Sequence, residues 1–63
     1  MIEINVNVTP KRLINRYSFF MSEIEHSEKC KYMQEDKNGE LYKFTTFCLN
    51  DKGKLIKEVF KIE

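Results

Sequence analysis

Tryptophan is absent from this 63-residue chain, and glycine, proline, cysteine and histidine number only two, one, two and one. Each scarcity excludes a chemistry. Gly39 and Gly53 stand far apart, so no glycine-rich loop can cradle a phosphate. Cys30, Cys48 and His26 fall short of the ligands a zinc site needs, and no C-x-x-C pair occurs. D-K-N-G-E resembles a calcium loop only in composition, because Gly39 comes fourth where the loop needs its glycine sixth. No apolar run approaches the ~18 residues of a membrane span. Eleven Lys plus Arg against ten Asp plus Glu leave a net charge of +1, without the basic excess of a general nucleic-acid coat. The start, MIEINVNVTPKR, has no basic stretch followed by an apolar core, so no signal peptide is expected. A secreted domain of this size usually carries four or more cysteines. The expectation is therefore a cytoplasmic chain with both thiols reduced, in which the sequon Asn7-Val8-Thr9 has no role.

What is present is a balanced mixture, 41% apolar and 33% charged, too apolar for a disordered tail. The length allows one domain, residues 1–63. It excludes a two-halved dinucleotide fold or a large enclosed cavity. A domain this small buries only about 60% of its unfolded surface and draws roughly 3–5 kcal/mol from its core. The wealth of Lys, Asn, Ile, Phe and Glu suits an AT-rich coding sequence, a habit of small phage and mobile-element proteins.

Periodicity divides the chain. Ile2, Ile4, Val6 and Val8 alternate with Glu3, Asn5 and Asn7, the pattern of a half-buried strand. Thr9 then offers an N-cap and Pro10 suits the first helical position. At ~100° per residue, Leu13, Ile14, Tyr17, Phe20, Met21 and Ile24 form one apolar stripe, and the helix is expected to reach about His26. Beyond it, D-K-N-G at 36–39 and N-D-K-G at 50–53 separate strands near 29–35, 41–49 and 55–62. Both turns suit a three-residue loop with glycine in the left-handed position. That pairs Asp36 with Glu40, Cys30 with Thr46, and Asn50 with Lys54. Cys30, Tyr32, Tyr42, Phe44, Cys48, Ile56, Phe60 and Ile62 then share one sheet face. The predicted fold is α+β, in β-α-β-β-β order. It is a four-stranded mixed sheet with one helix packed on one face; the first strand can lie beside the second or the fourth, and the fourth is preferred.

Two surfaces stand out. On the outer helix face, Phe19 lies away from the core stripe among Arg12, Asn15, Glu23 and His26, like an interface anchor. Lys11, Arg12 and Arg16 crowd the helix start while Glu23, Glu25 and Glu28 crowd its end, against the preference of the helix dipole. An acidic partner group docking at the helix start would suit that order. The outer sheet face mixes Met33, Leu41, Phe47, Leu49, Leu55 and Val59 with Lys31, Lys43, Lys57 and Lys61, whereas a solvated face should be mostly polar.

No catalytic constellation emerges. Both cysteines fall on the core face, where a thiol acts as a small hydrophobe; they lie diagonally on adjacent strands, where a disulfide is geometrically conceivable but the expected compartment argues against it. The acidic residues read as a solvated helix end. These features point to a small non-enzymatic protein-binding module, with no cofactor, metal or membrane, that modulates or inhibits a larger protein partner. Pairing of two copies through the outer sheet face is a variant of that reading. The alternative is a small nucleic-acid-binding protein whose lysine-lined sheet face uses Phe47 as a stacking platform.

Overall fold

The computed structural model describes residues 1–24 and 26–63. Glu25, one of the three carboxylates assigned to the helix end, lies outside the described residues. The elements are β1 (Ile2–Val8), α1 (Pro10–Glu23), β2 (Cys30–Lys37), β3 (Glu40–Leu49) and β4 (Leu55–Ile62). They form one four-stranded sheet in the order β1-β4-β3-β2. β1 runs parallel to β4, and the other two pairings are antiparallel. The expected α+β class and mixed sheet are present, and of the two places left open for the first strand the fold takes the one beside the fourth.

Thr9 begins the helix as its composition suggests. Its backbone is extended, and its hydroxyl oxygen accepts from the Arg12 amide at 3.3 Å, with Pro10 following. The helix stops at Glu23 rather than His26. Ile24 caps it, donating its amide to the Phe20 carbonyl at 2.9 Å, and the Ser27 amide then donates to the Ile24 carbonyl. His26 therefore lies past the helix end instead of on its outer face.

Leu13, Phe20, Phe44 and Val8 make the buried cluster, with Tyr17, Met21, Ile24, Cys30, Cys48, Phe60 and Ile62 packed around it. Tyr17, Phe20 and Tyr32 surround the Phe44 ring at centroid distances of 5.3, 5.4 and 5.7 Å. Such aromatic pairs contribute about 0.5–1.5 kcal/mol each beyond their burial. Ile14, expected in the core stripe, is 55% exposed. The half-buried position on this side of the helix goes instead to Arg16, whose guanidinium lies 4.9 Å from the Phe60 ring centre.

The second hairpin has the expected register, with Cys48 opposite Ile56 and Phe44 opposite Phe60. Asn50 organises its loop. Its amide donates to the Lys54 carbonyl at 2.9 Å, and its side-chain oxygen accepts from the amides of Lys52 and Lys54. The first hairpin differs. Lys37 pairs with Glu40 across Asn38-Gly39, both at positive φ (55° and 79°), so this is a two-residue turn of the primed type. A bulge follows, because Asp36 opposes Leu41 but Glu35 opposes Lys43. Together these displace the β2–β3 register by two residues from expectation. An even displacement leaves each side chain of β2 on its expected face.

The bulge changes two residues and one bond. Leu41, expected outside, packs against the core cluster. Tyr42, expected inside, lies under two lysines instead, with the Lys37 and Lys61 ammonium groups 5.0 and 5.6 Å from its ring centre. Cys30 now faces Cys48 rather than Thr46, and the two form a disulfide. The expectation of two reduced thiols is corrected here. With it goes a premise of the cytoplasmic expectation, since disulfides persist in oxidising surroundings. No helix among the described residues is long and apolar enough to cross a membrane.

Candidate docking surfaces

A helix is ~10 Å wide and strands lie ~4.8 Å apart, so one helix covers about two strands. α1 packs on β3 and β4. The helix-side face of β1 is consequently left open at its first half, where Ile2 and Ile4 are 45% and 42% exposed.

Arg16 fixes the flank of α1 that looks toward this open strip. Its Nη2 donates to Glu58 Oε1 on β4 at 3.4 Å, with both side chains about one-third exposed. The guanidinium spans the Phe60 ring on one side and the Phe19 ring, at 5.9 Å, on the other. Arg16 Nε is buried without a partner. Phe19 itself is 49% exposed, as the helical spacing indicates. The expected basic cluster thus divides. Arg16 is engaged within the fold, while Lys11 and Arg12 are exposed at the helix start. Glu23 is exposed one turn beyond Phe19, and His26 is exposed beyond the helix.

The outer sheet face is a grid set by the register. Glu3, Lys57, Phe47 and Lys31 form one row, Asn5, Val59, Thr45 and Met33 the next, and Asn7, Lys61, Lys43 and Glu35 the third. Val59 and Thr45 at its centre are buried, with 7% and 6% exposure, although no second layer covers them. Lys57, Lys61, Lys43, Phe47, Asn5 and Met33 surround them on the grid, and long stems of this kind can cover apolar surface. Lys57 lies over Phe47 at 5.8 Å and reaches Glu3 Oε1 at 3.6 Å. Hydrogen bonding from Asn5, then the charge of Lys57, holds the Glu3 carboxyl below the usual carboxylate range. Lys43 and Lys61 are directly opposed. The apolar exposure of this face is concentrated in Met33, Leu49 and Leu55, at 64%, 45% and 36%.

Sequence reasoning missed Tyr42 as an outer-face aromatic. The Asn-Gly dipeptide at 38–39, a signal for a two-residue turn, was the available clue. It also missed the Arg16–Glu58 pair, which no local pattern announces. With both thiols in the disulfide, the oxidised chain offers neither a cysteine nucleophile nor a thiolate ligand. Compared with known proteins, the chain matches no family model, no curated relative and no solved structure.

Proposed function

We propose that the chain is a small protein-binding module that modulates or inhibits a larger partner, with Phe19 as its anchor. The observation that carries this reading is the Phe19 ring, 49% exposed yet steadied by a guanidinium that is itself tied to β4. A ring held in place loses less conformational freedom on binding than a mobile one. Aromatic anchors of this kind dominate interface energies. Lys11 and Arg12, exposed at the helix start, suit acidic groups on that partner.

Phe19→Ala tests it. Affinity capture from cell lysate after nuclease treatment, at moderate and high salt, should yield one stoichiometric protein with the parent chain. The variant should hold it about thirtyfold more weakly, a loss of about 2 kcal/mol, with an unchanged circular dichroism spectrum. Equal capture by both chains would reject Phe19 as the anchor.

One observation favours a second reading, a nucleic-acid surface. Tyr42 joins Phe47 on the outer sheet face, and Lys37, Lys57 and Lys61 lie over these two rings. Recovery of nucleic acid alone, with steep loss as salt rises, would favour that reading over the first.

A further inference from the structure

We propose that β1 is a self-pairing edge, through which two copies of this chain join antiparallel into one continuous eight-stranded sheet. The inference goes beyond the larger partner and does not depend on it, because it concerns the purified chain alone.

The sheet has two edges, β1 and β2, and they are defended unequally. β2 (CKYMQEDK) carries Lys31, Glu35, Asp36 and Lys37 among its eight residues, and the β2–β3 ladder is bulged. Charges and bulges of this kind discourage edge pairing. β1 (IEINVNV) has one charge in seven residues, with no proline, glycine or register shift. Its free edge is about 23 Å of regular strand at ~3.3 Å per residue. Such an edge invites another strand.

The sequence of β1 complements itself. Centred on Asn5, antiparallel pairing sets Ile2 against Val8, Ile4 against Val6, Glu3 against Asn7 and Asn5 against its own copy. All seven residues pair, and every β-branched side chain meets another on the same face. Alternate residues that point their N–H and C=O groups away from β4 meet their counterparts. Centring on Ile4 or Val6 leaves two residues unpaired on each strand. Centring on Glu3 opposes two carboxylates, which is unfavourable.

The two-fold axis of this arrangement stands perpendicular to the sheet, so both helices lie on the same side. The open strips at Ile2 and Ile4 then adjoin each other between the helices, and each runs up to Val6 of the second copy, beyond which Val8 is already buried in its own core. The occupant is a second copy because the edge answers its own charge and side-chain pattern. One strand edge with two short apolar strips falls below the ~1,200 Å² of a stable complex. The dimer should therefore dissociate in the range of tens of micromolar, on the order of weak encounters.

Sedimentation velocity of the purified chain from about 5 µM to about 1 mM brackets that constant. Hydrogen exchange at both ends of the range reads the contact strand directly. The expected result is a monomer–dimer transition in which alternate β1 amides gain protection at high concentration while β2 amides do not. Two variants locate the interface. N7E sets a second carboxylate against Glu3 of the second copy, but lies beside Lys61 within its own sheet, so the fold tolerates it. The dimer should weaken between about two- and thirtyfold, from two symmetry-related cross-strand pairs. I4K, at a side chain 42% exposed, places a cation in the apolar strip and should weaken the dimer at least as much. A monomer throughout the range would overturn the proposal. So would a dimer whose β1 amides exchange as in the monomer.

Discussion

Arg16 is the residue on which the helix flank turns. Its spacing put it among the basic residues of the helix start, available to an outside anion. In the fold its guanidinium instead joins Glu58, Phe60 and Phe19. The partly exposed pair, at a long 3.4 Å, by itself contributes little, about 0–1 kcal/mol. Its greater effect is to order a side chain that shapes the surface beside Phe19. Glu3 shows the same scale of effect on the opposite face. Its carboxyl is held low by the Asn5 side chain first and Lys57 second. A depressed folded-state pKa contributes stability that is present above the unfolded value and lost as pH falls through the folded one. Asn5→Ala should therefore move the Glu3 titration upward, toward that of an ordinary glutamate. Lys57→Met, which removes both a charge and a hydrogen bond, should move it the same way. Carboxyl chemical shifts followed by NMR through the acid range would check both variants. A Glu3 titration that Asn5→Ala leaves in place would remove the Asn5 hydrogen bond as a cause.

At the scale of elements, β1, the helix start and the second hairpin were legible because each carries its own local signal. Alternation marks β1, Thr9-Pro10 marks the cap, and Asn50 with Gly53 closes a three-residue loop. The first hairpin was misread because D-K-N-G supports two loop lengths. Its Asn-Gly adopts the shorter one, and the bulge at Tyr42 adds a second one-residue shift in the same direction, which restores parity. Parity preserved the inner face apart from the exchange of Tyr42 for Leu41, so most of the core was recognisable from a mistaken register. What parity could not preserve was the identity of cross-strand partners, and the disulfide depends on those. The helix end was illegible because no glycine marks it. Cys30–Cys48 closes 18 residues of chain between β2 and β3, a loop for which cross-linking contributes about 3 kcal/mol. β2 is an edge strand exposed along most of its length, held besides the disulfide by its ladder with β3 and by Tyr32 against Phe20 and Phe44. The double variant C30A/C48A should lose about 3 kcal/mol in urea unfolding, and its β2 amides should become the fastest-exchanging of the four strands. A loss under about 1 kcal/mol would mean that the ladder and the Tyr32 contacts hold β2 in place without the cross-link.

At the scale of the whole molecule, one 14-residue helix over four strands leaves the fold half covered. The exposed apolar side chains follow from that geometry rather than from an excess of apolar residues. Ile2 and Ile4 are open because the first half of β1 lies beyond the reach of α1, and Phe19 sits on the flank that faces the gap. Joining two β1 edges would bring two such flanks to one side of one sheet, so a partner that recognises Phe19 would meet it twice. It would also link folding to self-association. At chain concentrations about 100-fold above the dissociation constant, mass action favours the folded dimer by about 2.7 kcal/mol, shared between two protomers. For a domain of this size each kcal/mol shifts the melting midpoint by about 4–8 °C. The midpoint of the parent chain should therefore rise by about 5–10 °C over that span of concentration. I4K should show a flat dependence, whatever its own midpoint at the dilute end. A parent midpoint that does not move with concentration would leave β1 an edge that the monomer tolerates unpaired, and Phe19 would then act from a single copy.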